Sequence, residues 1–186
     1  MSTSGPGFVL GDFLAALTPV VRPGGARPLV VHDEDLETIP PGTVPNPTEL
    51  RVAGKLPTST FELFRQVIPP NESSDMQRHY HETVHFVIAG EGHSEIERAD
   101  SSAGSHRDSA HGGTDAEADS ITWRSGSFIY TPPWAWHRHF NDSAEHPVEF
   151  LTIENSRLLA LFGLARRESA GLVTLAEARA RFEQRR

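Results

Sequence analysis

Apolar and polar positions alternate through the middle of this chain. Phe61, Leu63, Arg65 and Val67 alternate with Thr60, Glu62, Phe64 and Gln66 up to Pro69-Pro70, a two-residue period that predicts a strand and a turn. By that parity Arg65 shares a face with Phe61, Leu63 and Val67; it either faces inward as an anchor for a substrate carboxylate or, the commoner fate of such a residue, is a solvated edge residue. His79–Ala89 reads as another strand, stopped by Gly90-Glu91-Gly92, with His93–Glu97 as a short antiparallel return. Ile121–Tyr130 resumes strand character, and Val148–Ile153 is the last clear strand. The period changes toward the ends. Residues 8–17 space Phe8, Leu10, Phe13, Leu14 and Leu17 as an amphipathic helix does, and 157–167 and 174–185 predict two terminal helices. Thr174 and Glu177 stand at capping-box spacing for the second.

Two segments lack either period. Residues 22–50 are rich in proline and glycine, which disfavours long strands and predicts an irregular arm. Residues 98–120 are Ser, Ala, Gly, Asp and His without a large apolar side chain until Ile121, so they predict a flexible insertion joining two strands of a hairpin. The expectation is all-β: an antiparallel barrel or sandwich over residues 51–153, an arm over 1–50 and a helical tail over 154–186.

Composition narrows the chemistry. The 186 residues include 25 acidic, 17 basic and ten histidine side chains and no cysteine. The absence of cysteine excludes disulfides, thiolate metal sites and a cysteine nucleophile. A formal net charge of −8 argues against nucleic acid or an anionic membrane as partner. The longest apolar run, Leu158–Ala165, is far shorter than the roughly 20 residues of a membrane span. Residues 8–21 lack the preceding positive charge of a secretory signal and are interrupted by Asp12, so a soluble, cytoplasmic protein is expected.

All the histidines but His32 lie between His79 and His146. His79, His81 and His85 have common parity, as do His137 and His139. Same-face neighbours on a strand are about 7 Å apart, close enough for His79 and His81 to grip one ion with bonds of ~2.1 Å. His85 needs strand curvature to join them. A barrel interior can bring the two groups together from different strands. A lone strand histidine is usually a surface or a satisfied core residue; this repeated parity points to a metal.

These residues resemble the cupin family. H-Y-H-E-T-V-H-F-V-I-A-G-E-G, from His79 to Gly92, is similar to the first cupin motif, with His85 where the family usually has glutamate. G-S-F-I-Y-T-P-P-W-A-W-H-R-H-F-N, from Gly126 to Asn141, is similar to the second, with Trp134 at the inner glycine. P-P-W-A-W-H-R-H-F-N most resembles the gentisate 1,2-dioxygenase group, whose members cleave aromatic hydroxy acids with Fe(II) held by three histidines and are typically longer, two-cupin chains. The resemblance implies a cupin-type antiparallel β-barrel (a jelly roll) and one divalent metal ion. It makes His79, His81 and His137 the first-choice ligands and His85 a fourth. His139 and Trp134 are the candidate catalytic residues, His139 as a donor beside the ligands or a group facing substrate. Trp134 and Trp136 either pack in the core or wall a flat substrate, Trp134 being favoured for the latter. Tyr80, Glu82 and Arg138 are expected outside, with Glu82 only a remote substitute ligand, and Asn141 is expected to fix the following loop.

Four neutral imidazoles leave a 2+ charge uncompensated, which favours an anionic, chelating small-molecule substrate. Fe(II) is the favoured ion, with O2 as co-substrate; Zn, Ni, Mn or Cu are the alternatives, and Zn, Ni or Mn would suit a non-redox isomerase, lyase or cyclase. A non-catalytic ligand-binding cupin is the third reading. The oligomeric state stays open, a homodimer among the options.

Overall fold

Residues 28–43, 46–97 and 118–183 are described in the structure, a computed structural model. The expected helix over 8–17 and most of the insertion lie outside the described residues. One sheet contains β1 (Glu37–Ile39), β2 (Glu49–Val52), β3 (Glu62–Ile68), β5 (Thr83–Ala89), β8 (Phe128–Thr131) and β10 (Val148–Glu154), in the order β1-β2-β3-β10-β5-β8. The other contains β4 (Met76–His79), β6 (Glu91–Glu97), β7 (Ala118–Arg124), β9 (His137–Asn141) and β11 (Arg167–Gly171), in the order β11-β4-β9-β6-β7. The pairings between named strands are antiparallel, and the two inner faces enclose the interior.

The cross-strand register grades the inner face of the first sheet from apolar to polar. Ile68 lies opposite Val148, and Phe150 lies between Gln66 and Val87. The next row is Phe64, Thr152, His85 and Ile129; the last is Glu62, Glu154, Thr83 and Thr131. At the apolar end Ile68, Val87, Ile129, Val148 and Phe150 pack with Ile96 and Trp123 from the second sheet. A second apolar cluster lies outside the barrel, where helix α2 (Leu175–Glu183) covers the second sheet through Leu175 and Ala178 on Met76, Trp136 and Ala170. The capping box forms: Glu177 N–H donates to Thr174 Oγ1 at 3.3 Å, and Thr174 N–H donates to the Glu177 carboxylate at 2.9 Å.

Several expectations are corrected. His79–Ala89 is not one strand: it breaks at Tyr80–Glu82, leaving His79 in one sheet and His85 in the other. The segment after Gly90 does not return along β5; β6 crosses to the second sheet and pairs with β7 and β9. On β3 the buried set is Glu62, Phe64, Gln66 and Ile68 rather than the more apolar Leu63 and Val67, so Arg65 faces outward and pairs with Glu149 and Asp33. The predicted helix over 157–167 is only α1 (Ser156–Leu161), ended by Gly163 at φ +69°, a left-handed position natural to glycine. The following residues form β11, and β1, β2 and β11 extend the sheets beyond residues 51–153. The hairpin spanning the insertion is present, with Glu97 opposite Ala118.

Glu62 and Glu154 are cross-strand neighbours at the polar end. Burial, and then the Glu154 charge, push the Glu62 carboxyl up to about 7, although Arg157 opposes the shift. A carboxyl raised in the folded state binds its proton more tightly there, so its contribution to stability is full below about 4.5 and disappears as pH rises through 7. Glu62→Gln is therefore expected to gain on the unmodified chain by on the order of 2 kcal/mol between pH 4.5 and 7.5. Urea unfolding across that range measures the difference; parallel stability profiles would refute the burial argument.

Candidate metal centre

The five histidines singled out by parity are all buried within the barrel. They approach it from different elements: His79 at the end of β4, His81 on the β4–β5 crossover, His85 on β5, and His137 and His139 on β9. Their rings form a continuous row. His81 stacks on His79 at 3.7 Å between centroids, His79 meets His137 edge-on at 4.7 Å, His137 lies 5.7 Å from His139, and His139 meets His85 at 4.5 Å.

The backbone fixes the tautomers of two rings. Nδ1 of His79 donates to the His81 carbonyl at 2.8 Å, and Nδ1 of His137 to the Ala135 carbonyl at 2.9 Å. A carbonyl can only accept, so each Nδ1 carries the hydrogen and each Nε2 keeps a free lone pair. His85 and His139 instead have hydroxyl partners, Thr152 Oγ1 at 2.9 Å and Ser94 Oγ at 2.7 Å, which accept or donate. Ser94 also accepts from Trp123 Nε1 at 2.8 Å. Its place opposite His139 depends on Gly92, where a Cβ would lie 2.0 Å from the Phe140 carbonyl oxygen.

Burial also keeps these rings uncharged. Desolvation lowers His137 to about 3 and His85 to about 4, and takes His79 and His139 well below the ordinary histidine value. Neighbouring imidazoles add to the lowering at His79, His137 and His139. Neutral imidazole is the form that ligates.

This donor chemistry fits a divalent transition metal. Nε2 of His85, His137 and His139 and both ring nitrogens of His81 are buried without hydrogen-bond partners, atoms whose desolvation is costly unless something binds them. The rings are not closed around an ion as placed: among the described residues no three His, Asp or Glu side chains form a ready-made set. The stacked His79 and His81 rings are nearly parallel, so rotation about their side-chain bonds has to precede joint ligation.

His79, His81 and His85 line a cleft together with Glu154, Gln77 and Thr152, while Leu50 and Phe64 supply apolar wall. Its volume is about 330 Å³ including the open mouth, and its enclosed part has room for one ion or water. Glu154 was not singled out in the sequence, although Val148, Phe150, Thr152 and Glu154 share one parity. It is 3% exposed. Its carboxylate Oε2 lies 3.1 Å from His81 Nε2.

The tryptophans lie elsewhere. Trp136 is 1% exposed and packs against Phe182 under α2, on the outer side of the second sheet. Trp134 stacks on exposed Tyr80 at 4.1 Å, with the guanidinium groups of Arg78 and Arg166 4.4 and 5.1 Å from its ring. Neither lines the cleft, which corrects the expectation of an indole wall. Glu82 is exposed and accepts a hydrogen bond from Tyr130, while Arg138 bonds to Ser73 outside the barrel. Asn141 does fix its loop, donating to the carbonyls of Ile68, Pro69 and His146 and accepting from Ser143 N–H.

Comparison with known proteins agrees with this architecture. A cupin-2 domain protein of Rhodospirillum rubrum superposes with a TM-score of 0.51 at 20% identity, covering 88% of this chain and 91% of that one. The fold is the cupin fold. Oxalate decarboxylase of Lactobacillus farciminis, in a formate complex, gives a TM-score of 0.57 at 14% identity over 84% of this chain and 40% of that one. At these identities the likeness concerns the fold alone. Gentisate 1,2 dioxygenase 1 of Aquipseudomonas alcaligenes is 28% identical over 106 residues, which is 57% of this chain but only 25% of that protein. No protein-family model matches the chain. Among the described residues no helix is long and apolar enough to cross a membrane.

Trp134 has φ +60°, a left-handed conformation that costs a non-glycine residue about 1–2 kcal/mol. It stands at the inner glycine of the cupin motif. The turn is held by Trp134 N–H donating to the His79 carbonyl at 2.6 Å and by the stacked ring. Trp134→Ala loses the stack and keeps the strain, whereas Trp134→Gly loses both. Trp134→Gly is expected to be the more stable variant by about 1 kcal/mol, read from urea unfolding. An alanine variant as stable as the glycine one would contradict the strain.

Proposed function

We propose that this chain is a metal-dependent cupin enzyme that uses Fe(II) and O2 to oxidise a small, anionic, chelating hydroxy acid. One observation carries the reading: a row of buried imidazoles, two with Nε2 left free by backbone-fixed tautomers, reaches a cleft between the sheets through His79, His81 and His85. The similarity to a gentisate 1,2-dioxygenase supports oxidative chemistry and an aromatic hydroxy acid as substrate. His79, His81, His85 and His137 are the residues proposed to hold the metal, with His139 beside them. When bound, Fe(II) supplies Lewis acidity and electron transfer between substrate and O2.

The chain's own contributions follow from the geometry. The carbonyls of His81 and Ala135 hold the His79 and His137 rings in their ligating tautomer. Thr152 and Ser94, able to donate or accept, let His85 and His139 take either tautomer, which suits holding or passing a proton at Nε2. Gln77 and Thr152 offer hydrogen bonds to oxygen atoms in the cleft, and Leu50 and Phe64 exclude water. A ring-sized acid needs the cleft to widen beyond its present free space, whereas a two- or three-carbon acid needs less.

A second reading, a Zn, Ni or Mn isomerase, lyase or decarboxylase, is favoured by the carboxylate of Glu154 among the lining residues, a candidate proton carrier. Metal analysis of untagged protein, with O2 uptake against hydroxylated aromatic acids and short hydroxy acids, separates the two. Iron with uptake supports the first; zinc, nickel or manganese without uptake supports the second. His79→Ala and His137→Ala are each expected to lower bound metal at least tenfold and to abolish activity. Full metal occupancy in both variants would refute the assignment of the centre.

A further inference from the structure

We propose that Glu154 is itself a ligand of the ion, presenting Oε2 next to Nε2 of His81 and replacing the carboxylate that the first cupin motif has at the position of His85. The inference rests on the metal reading above and concerns which residues complete the shell.

The motif places its carboxylate on β5. Here that position is His85, and β5 offers no other acidic side chain to the interior: Thr83 and Val87 are its buried neighbours. On the adjoining strand β10 the inward residue opposite Thr83 is Glu154. The carboxylate has therefore moved one strand across and one row toward the polar end of the same inner face. It is the only carboxylate among the residues lining the cleft.

The atomic placement favours ligation over a simple ion pair. Two donor atoms bound to one ion at about 2.1 Å are about 3.0–3.4 Å apart for octahedral to tetrahedral angles. His81 Nε2 and Glu154 Oε2 are 3.1 Å apart. A hydrogen bond also allows that distance, but the ring nitrogen is not aligned for one: Nε2 of His81 is without a hydrogen-bond partner, as are its Nδ1 and Glu154 Oε1. Two buried donors this close become neighbours in one coordination shell once the His81 ring turns off His79. Charge gives the same answer. Neutral imidazoles leave a dication uncompensated in a low-dielectric cleft, and one carboxylate halves the net charge. The other buried cation beside the row, Arg167, is already paired with Asp75 at 2.7 Å and hydrogen-bonded to Gln77 at 2.6 Å.

If Glu154 only oriented His81 from behind, its loss would weaken metal binding by about 10–100-fold and leave the metal's own neighbours unchanged. As a ligand it does more. The test titrates the full chain, without a histidine tag, with Zn(II) against a chromophoric chelator, and records X-ray absorption of the Zn(II) complex and the visible spectrum of the Co(II) complex. Glu154→Gln is expected to weaken Zn(II) binding by more than about a hundredfold, to alter the oxygen scattering and to shift the Co(II) bands. A Glu154→Gln protein with unchanged scattering and bands overturns the inference, whatever its affinity, and leaves the metal reading standing. An unmodified chain that binds neither ion overturns that reading itself. Should Glu154→Gln fail to fold, Glu154→Asp decides: its carboxylate keeps the charge but is one methylene shorter, so changed oxygen scattering supports ligation and unchanged scattering refutes it.

Discussion

Everything near the cleft answers to one constraint: five imidazole rings lie out of water inside a small β-barrel. To ligate an ion an imidazole must be uncharged, and each ring brings two polar nitrogens that need partners. The fold meets the first demand at His79, His85, His137 and His139 by burial, to which crowding adds at His79, His137 and His139, where a proton is repelled by neighbouring rings. It meets the second only in part. The Nδ1 side of His79, His85, His137 and His139 is bonded to carbonyls or hydroxyls, while buried Nε2 atoms remain without partners. A core that needed histidine only for packing would gain by replacing such atoms with carbon.

That constraint explains the grading of the interior. One end is filled by Ile68, Val87, Val148 and Phe150 and holds the sheets together. The other holds Glu62, Glu154, Thr83 and Thr131, side chains that would destabilise a uniformly packed barrel. The histidine row lies between the two. The apolar floor keeps its surroundings dry, and the polar rim supplies hydrogen bonds and negative charge. Stability displaced from the interior returns outside it, where α2 closes an apolar cluster over the back of the second sheet.

The sequence made much of this legible, for identifiable reasons. Strands announced themselves by a period of two, and the shared parity of His137 and His139 corresponds to a real inner face on β9. Parity failed on β3 because its interior residues include Glu62 and Gln66, so the outward set Leu63, Val67 looks as apolar as the inward one. It was also stretched too far over His79–His85, where a crossover hands the chain from one sheet to the other. β11 left little hydropathy signal because two of its three buried residues, Arg167 and Glu168, are held by ion pairs to Asp75 and Arg78, and the third is the small Ala170. The indoles misled for a different reason: a motif fixes spacing, but Trp134 adopts a left-handed turn that turns its ring outward onto Tyr80.

The hydrogen bonds behind the rings divide them into two kinds, and this division ties structure to chemistry. A backbone carbonyl gives a ring no choice of tautomer, so His79 and His137 are rigid in protonation as well as in place. A hydroxyl gives a choice, and His85 and His139 each have one. Their partners differ in turn. Ser94 already accepts from Trp123, which leaves its own hydrogen free to turn toward His139 Nδ1, whereas Thr152 belongs to the strand that carries Glu154 two residues later. Fixed lone pairs and adjustable protons thus stand within one row of rings, the combination that acid–base work beside a bound cation requires.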